Sequence, residues 1–499
     1  MAKKKKFDPS GIHMTPEQEL ITDHDYKKGE SVAVKAFAGT GKTTTLQLLA
    51  YTMLASRPKW KILYLAFNKS IQTEAEKKFG DNVTCRTTHS MAFSDFGRLY
   101  RHKLKPSVRL MTVVKLMDLK GTDKWDLARY AWYTVGNFLS SGRDKIDIKM
   151  VPSDSFLSKR PQILKLACDI WKRMKDRDDR EMPMTHDGYL KLYQLSKPDI
   201  AKDYDMIMVD EAQDSNPAVV MLVNRQKCSK VWIGDDHQSI YQFRGSQNAF
   251  KQIQIDHEYY LSQSFRFGPN VAETANILLK REKKESVMLV GSGGADEIIR
   301  DIEPDEKHTI IHRTNSALFS NAVRLLNKSQ SFGIIGGVDN SGINLVLDAY
   351  NVYSNNKSDI KDPFMKSFYD LDAMAGYAKQ AEDVEVMRMV MEVNTYKSDI
   401  PYLIDEIKRQ VVSPEKADII LTTAHKCKGL EFGTVMLESD FHDFSEEGDV
   451  NYEPPKEEEV NLLYVALTRA QKRLMLNESL RYLVDDYNAN YSEESKSAF

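Results

Sequence analysis

The segment Ala36-Phe37-Ala38-Gly39-Thr40-Gly41-Lys42-Thr43 constrains this chain more than any other. It follows an apolar run, Val32-Ala33-Val34, and leads into a stretch with helical character, Thr44 to Leu49. A glycine-rich turn between a strand and a helix points backbone N–H groups at a phosphate chain, with the helix N-terminus behind them. In that geometry Lys42 reaches the β/γ-phosphates and Thr43 offers its hydroxyl to Mg²⁺. Ala36 stands where the first glycine of the pattern usually is. That position closes the strand, and alanine can do so without a positive φ.

A second apolar run, Tyr204-Asp205-Met206-Ile207-Met208-Val209, reads as a buried strand and ends in Asp210-Glu211-Ala212-Gln213-Asp214. A doubly wound sheet places its chemistry at the C-terminal ends of its strands. Asp210 there holds Mg²⁺ through water, and Glu211 polarises the attacking water. A lone Asp-Glu pair is commonly a solvated acidic turn. Here the strand before it aims the pair at the same sheet edge as the phosphate loop.

At 499 residues the chain is long enough for two to four domains. A net charge of −2 neither indicates nor excludes nucleic acid, so any basic track must be local. The cysteines, Cys85, Cys168, Cys228 and Cys427, show no CxxC spacing. This argues against a zinc or iron–sulfur site and fits a reducing compartment. No apolar run reaches the length of a membrane span. The opening Met1-Ala2-Lys3-Lys4-Lys5-Lys6 has no apolar core after it, so it reads as a disordered tail, with a nuclear address or a phosphate-binding arm as alternatives.

The pattern predicts an α/β chain with two interruptions. Strands and helices alternate from Met14 to Leu99, with a strand at Lys61–Ala66. Apolar residues then recur at helical spacing, as in Trp125, Ala128, Tyr130, Ala131, Val135 and Phe138, and again in Ile163, Leu166, Ala167, Ile170 and Trp171. Strand signals return at Asp205–Val209 and Val231–Ile233, and later at Thr309–Ile311, Asp418–Leu421 and Thr434–Leu437. The layout expected is a first α/β domain in residues 1–97 and 190–263 with a helical insertion at 98–189. A second α/β domain follows in 264–340 and 412–499, with an insertion at 341–411. Gly291-Ser292-Gly293-Gly294 reads as a flexible turn, because no Lys-Ser/Thr follows it, and Phe444 to Glu459 reads as an acidic loop.

Further motifs follow in a fixed order. Thr15-Pro16-Glu17-Gln18 precedes the phosphate loop. Ala66-Phe67-Asn68-Lys69 and Thr88-His89-Ser90 come after it. Then come Gly234–Gly245, containing Gln238-Ser239-Ile240-Tyr241-Gln242-Phe243-Arg244, and Gln263-Ser264-Phe265-Arg266. Thr423-Ala424-His425-Lys426-Cys427-Lys428-Gly429-Leu430-Glu431-Phe432 and Leu463–Ala470 close the series. This set resembles the UvrD/Rep/PcrA group of superfamily 1 DNA helicases. Within it, Leu65–Ser70, Val83–Ala92 and Met184–Leu195 look closest to the F-box DNA helicase branch, although no F-box is visible before Gln18.

The resemblance implies two RecA-like P-loop NTPase domains with ATP between them. It implies that Ala38, Gly39, Thr40, Gly41, Lys42, Thr43 and Thr44 cradle the phosphates. Gln18 reads the adenine edge and Phe265 stacks on the base. Glu431 contacts the ribose, Gln238 senses the γ-phosphate, and Arg266 and Arg469 clamp it. Phe67 and Phe243 sit where the group stacks bases, and Asn68, Thr88, His89, Arg244 and His425 are further DNA contacts. His89 could equally be structural. Arg98, Arg101, Lys103, Lys105 and Arg109 form a basic cluster that is either a solvated face or a duplex-facing one.

The activity implied is ATP- and Mg²⁺-dependent 3′→5′ translocation on single-stranded DNA with unwinding of tailed duplex. A translocase that strips proteins from DNA without unwinding is the alternative. The implied enzyme acts as a monomer beside replication or recombination proteins. It works in a bacterial or phage-infected cytoplasm, or in a nucleus if the source is eukaryotic.

Overall fold

The structure is a computed structural model that describes the chain except for residues 1–8, 10, 156, 241–247, 304, 329, 381–382, 446–451 and 492–499. The lysine run of the N-terminus and the predicted DNA contacts Phe243 and Arg244 lie outside the described residues. Two compact units emerge. One takes in the chain up to Phe37 together with Gly41–Leu261, and the other Ala38–Thr40 together with the chain from Ser262.

The first unit is built on six parallel strands: β1 (Ser31–Ala36), β2 (Ile62–Ala66), β3 (Val83–Thr87), β4 (Met206–Val209), β5 (Ser229–Gly234) and β6 (His257–Leu261). Their order across the sheet is β3-β2-β4-β5-β1-β6. β2, β4 and β5 are buried along their whole length, as expected of a parallel sheet covered on both faces. The period of two is visible in the packing. Val32, Val34, Met206, Met208, Val231 and Ile233 share one core with the helix Lys42–Ser56. Ala33, Leu63, Ile207, Val209 and Trp232 turn to the other face and share a core with the helices that lie between β3 and β4.

Those helices include Lys124–Ser140, Arg160–Lys175 and His186–Leu195. Leu127, Ala128, Ala131, Val135 and Phe138 of the first meet Ile163, Ala167, Ile170 and Trp171 of the second. Trp125, expected on that apolar stripe, is 43% exposed. It lies in the first turn of its helix, where the stripe has not yet reached the core.

The second unit holds β7 (Gln263–Ser264), β8 (Val290–Gly291), β9 (Glu297–Ile299), β10 (His308–His312), β11 (Phe332–Ile334), β12 (Ile419–Thr423), β13 (Phe432–Leu437) and β14 (Ala470–Met475). Six of them form a parallel sheet of order β11-β12-β10-β13-β14-β9, and β7 pairs with β8. Between β11 and β12 run the helices Ile343–Tyr353, Leu371–Gln380, Val384–Tyr396 and Ile400–Gln410, whose apolar faces pack with Leu318, Phe319, Ile310 and Leu421. The α/β architecture with two separate parallel sheets is the one the RecA-like expectation required.

Two local readings are corrected. The run Gly291–Gly294 is not a loose turn. Ser292 N–H donates to the Ser264 carbonyl and Gly293 N–H to the Phe267 carbonyl, each at 2.8 Å. A Cβ on Gly291 would stand 1.9 Å from the Gly268 carbonyl oxygen, so glycine is there to let two backbones touch. The acidic loop also ends early. A helix begins at Glu457, and Glu457, Glu458 and Glu459 fill its first turn, where negative charge complements the helix dipole.

Candidate nucleotide and nucleic-acid sites

Strand β1 ends at Ala36, and the backbone then makes two left-handed steps, at Gly39 (φ +76°) and Gly41 (φ +77°). Both steps need glycine or pay for a Cβ. Gly41 caps the helix Lys42–Ser56, so Lys42, Thr43 and Thr44 occupy its first turn. Lys42 lies 3.9 Å from Glu211 through its Nζ and Oε1, and the two side chains are 14% and 20% exposed. The lysine is therefore sheltered beside a carboxylate rather than standing free in solvent.

Asp210 and Glu211 follow directly on β4. Asp210 is buried, and its carboxyl is pushed up to about 6 by burial and by the like charge of Glu211. Its Oδ1 accepts the Glu211 N–H (2.9 Å), and its Oδ2 accepts the Tyr64 hydroxyl. Glu211 itself is left-handed (φ 51°, ψ 46°), a conformation that costs a non-glycine residue roughly 1–2 kcal/mol. Gln213 steadies it, donating from Nε2 to Glu211 Oε2 at 2.6 Å while its Oε1 accepts the Asp235 N–H at 3.1 Å.

Tyr64 and Gln213 were not singled out from sequence. Tyr64 carried a signal: it is the one hydroxyl in the run Ile62–Ala66, and a buried tyrosine hydroxyl needs a partner.

Gln18 is 3% exposed and sits in a capping box with Thr15. Its Oε1 accepts the Thr15 N–H at 3.1 Å and its Nε2 donates to Thr45 Oγ1 at 3.0 Å. One lone pair and one N–H of the amide remain, the pair that a bidentate adenine contact uses. Gln238 is likewise buried, and its Nε2 donates to Asp235 Oδ2 at 2.6 Å.

In the second unit, Phe265 is 47% exposed, and its N–H donates to the Gly39 carbonyl at 2.9 Å. A Cβ on Gly39 would meet Ser264 Oγ at 2.4 Å and Arg266 Cβ at 2.7 Å. The Ala38 N–H donates to the Tyr464 hydroxyl at 3.1 Å, and Thr40 is buried. Arg266 pairs with Glu431 (Nε to Oε2, 3.0 Å) and donates from Nη1 to the Thr468 carbonyl at 3.0 Å. Glu431 Oε1 is held by Gln471 Nε2 at 3.0 Å. Arg469 is only 1% exposed. Its guanidinium donates to the Val465 carbonyl (2.8 Å), the Leu430 carbonyl (3.2 Å) and Thr468 Oγ1 (3.2 Å).

Of the expected DNA contacts, Phe67 is half-buried at the C-terminal end of β2. Asn68 is exposed and caps the helix Lys69–Lys78 by accepting the Ile71 N–H. Thr88 opens the helix Thr88–Asp95, and His89 meets Asp187 through Nε2 and Oδ1 at 3.3 Å. Its partner is thus a carboxylate on a neighbouring helix. His425 is half-buried in the short helix after β12. Lys103 leaves the basic cluster. It is 3% exposed and donates to the carbonyls of Arg173, Asp176 and Asp179 at the end of the helix Arg160–Lys175. No described helix is long and apolar enough to cross a membrane.

Comparison with known proteins identifies the family. Residues 148–257 match the UvrD/REP helicase N-terminal domain and residues 351–480 the UvrD-like helicase C-terminal domain. The chain is 34% identical to F-box DNA helicase 1 of Gallus gallus over 95% of its own length and 50% of that protein's. It is 33% identical to F-box DNA helicase protein 1 of Schizosaccharomyces pombe over 95% of its length and 58% of that protein's. DNA helicase IV of Escherichia coli is 24% identical over 50% of this chain. The chain thus spans about half the length of the curated relatives it matches best in coverage. With family matches in both units and ordered motifs on two parallel sheets, the chain belongs to the UvrD-like helicase family.

Proposed function

We propose that this chain is an ATP-dependent DNA helicase that moves 3′→5′ along single-stranded DNA and opens tailed duplex. The observation that carries the ATPase half is the convergence of Lys42, Glu211 and buried Asp210 beside a loop with two left-handed glycines. Lys42 then neutralises the β/γ-phosphates, and binding them draws it off Glu211. Glu211, released by Lys42 but still held by Gln213, accepts hydrogen bonds from the attacking water. The oxygen donors Thr43 and Asp210 fit Mg²⁺, a hard cation that selects oxygen ligands. When bound, that ion neutralises charge on the transferred phosphoryl group.

Gln18 and Phe265 are assigned to the adenine, Glu431 to the ribose, Gln238 to γ-phosphate sensing, and Arg266 and Arg469 to the γ-phosphate. For Arg469 this requires exchange of its carbonyl partners for phosphate oxygens. Phe67, Asn68, Thr88, His89 and His425 are assigned to DNA. Residues 98–189 and 341–411 are proposed as insertions into the two RecA-like domains. The names of the relatives, all of them DNA helicases in the matches given above, support DNA as the track.

The test is strand displacement on duplexes carrying either a 3′ or a 5′ single-stranded tail, with and without ATP. ATP-dependent opening of the 3′-tailed duplex alone is expected. Opening of the 5′-tailed substrate instead would overturn the polarity while leaving the ATPase reading intact. DNA-stimulated ATP hydrolysis with neither duplex opened would favour the non-unwinding translocase.

A further inference from the structure

At the opposite end of the first sheet from the phosphate loop, three side chains face one another. His24 follows the helix Pro16–Asp23, Glu30 immediately precedes β1, and His257 opens β6. The register pairs Val32 with His257, which brings Glu30 and His257 to the same edge. Glu30 stands between the two imidazoles. Its Oε2 is 3.1 Å from His24 Nε2 and its Oε1 is 3.2 Å from His257 Nε2. One donor atom from each residue lies within 4.8 Å of the other two.

We propose that His24, Glu30 and His257 form a Zn²⁺ site. Bonds of about 2.0–2.1 Å in a tetrahedron place neighbouring ligand atoms about 3.3 Å apart, and Glu30 sets one oxygen close to that separation from each imidazole, Oε2 from His24 and Oε1 from His257. Imidazole and carboxylate are ligands that Zn²⁺ accepts, whereas Mg²⁺ prefers oxygen alone.

The surroundings are those of an oriented metal ligand. The other nitrogen of His24, Nδ1, lies 2.9 Å from the Tyr259 hydroxyl, which fixes the ring and turns Nε2 inward. Glu30 Oε2 is also held by the Lys27 N–H at 2.9 Å. The side chains of His24 and Glu30 are 11% and 9% exposed, and His257 is 51% exposed. The exposed side leaves the fourth position to water.

Cysteine spacing argued against zinc in this chain, but that argument does not reach a His/Glu set drawn from three places in the sequence. The site is distinct from the nucleotide site, since β1 spans six residues and so separates Glu30 from the phosphate loop by roughly 20 Å. A metal there ties the end of the helix carrying Gln18, the start of β1 and the edge strand β6 together.

The test uses the full chain, stripped with chelator and free of nucleotide, titrated with Zn²⁺ alone by calorimetry and with Co²⁺ alone by visible absorption. One Zn²⁺ per chain and a tetrahedral Co²⁺ band are expected, with a higher Tm in Zn²⁺. His257→Ala, at a ring that is 51% exposed, and Glu30→Gln should each weaken Zn²⁺ binding at least about tenfold and remove the Co²⁺ band. Cys168→Ser, which deletes the exposed thiol, should change neither. Absence of binding in the wild type, or binding in His257→Ala and Glu30→Gln equal to that of the wild type, overturns the site and leaves the three residues as a hydrogen-bonded staple.

Discussion

The hydroxyl of Tyr64, on β2, donates to Oδ2 of Asp210, which directly follows the neighbouring strand β4. Burial and the Asp210 charge push the Tyr64 hydroxyl far up, so it remains a donor at every accessible pH. With the Glu211 N–H on Oδ1, both oxygens of a buried carboxylate are fixed. Tyr64→Phe keeps the ring and deletes the donor. An unmet buried acceptor costs about 1–3 kcal/mol, so the variant should unfold at lower denaturant. Because this hydrogen bond lowers the Asp210 pKa, its loss raises it, and the acidic limb of the ATPase pH profile should move to higher pH. A profile superimposable on that of the wild type would show Tyr64 to be only a packing residue.

Asp210 also sets a pH dependence of stability. Burial and Glu211 push its carboxyl up to about 6, against about 3.9 in an unfolded chain. A carboxyl raised in the folded state favours folding below its unfolded pKa, and that contribution is lost as pH rises through about 6. Without nucleotide or Mg²⁺, Asp210→Asn should therefore be more stable than wild type at pH 8. The advantage should shrink between pH 6 and pH 4, where the wild-type group becomes neutral as well. Thermal melts of both proteins across that range decide it, and a wild type more stable at pH 8 would contradict the burial argument. Turnover of Asp210→Asn should be lost.

In the proposed ATPase, Glu211 and Lys42 divide the chemistry. Glu211→Gln retains the hydrogen-bonding shape beside Gln213 but loses the charge that activates water. Nucleotide affinity should hold within about threefold, while turnover falls by about 10² or more. Lys42→Ala should lose both affinity and turnover without unfolding, because the phosphates lose their cation. Filter binding of ATP alongside steady-state hydrolysis separates the two. Equal losses of binding in both variants would refute this division.

Much of this was legible in the sequence because it is local. Each run read as a strand, from Val32–Val34 to Thr434–Leu437, falls on a strand of a parallel sheet. Ala36 closes β1 as its lack of positive φ allows. Strands of mixed composition, such as Val83–Thr87 and Ala470–Met475, were missed, since their apolar residues are too few to stand out. What stayed hidden is long-range. That Arg266 meets Glu431, or that Lys103 serves carbonyls some seventy residues away, depends on how distant segments close on one another. The left-handed turn at Glu211 was equally invisible, because nothing in a glutamate announces a positive φ.

The glycine run that begins in β8 gives the sharpest structural test, because its role reversed between sequence and structure. A loose turn tolerates alanine, whereas a backbone contact does not. The Cβ of Gly291→Ala would lie 1.9 Å from the Gly268 oxygen, 2.2 Å from its carbonyl carbon and 2.8 Å from Pro269 N, all main-chain atoms that no rotamer change can move. Relief requires Gly268-Pro269 to shift, together with the start of the helix Pro269–Lys283 and with Phe265 and Arg266 just before it. Overpacking of this kind costs about 1–3 kcal/mol or more. Gly291→Ala should therefore lower the Tm clearly and weaken nucleotide binding through Phe265 and Arg266. Gly80→Ala, where nothing lies within 4 Å of the added carbon, should leave both unchanged. Equal melting temperatures for the two variants would restore the flexible-turn reading of Gly291–Gly294.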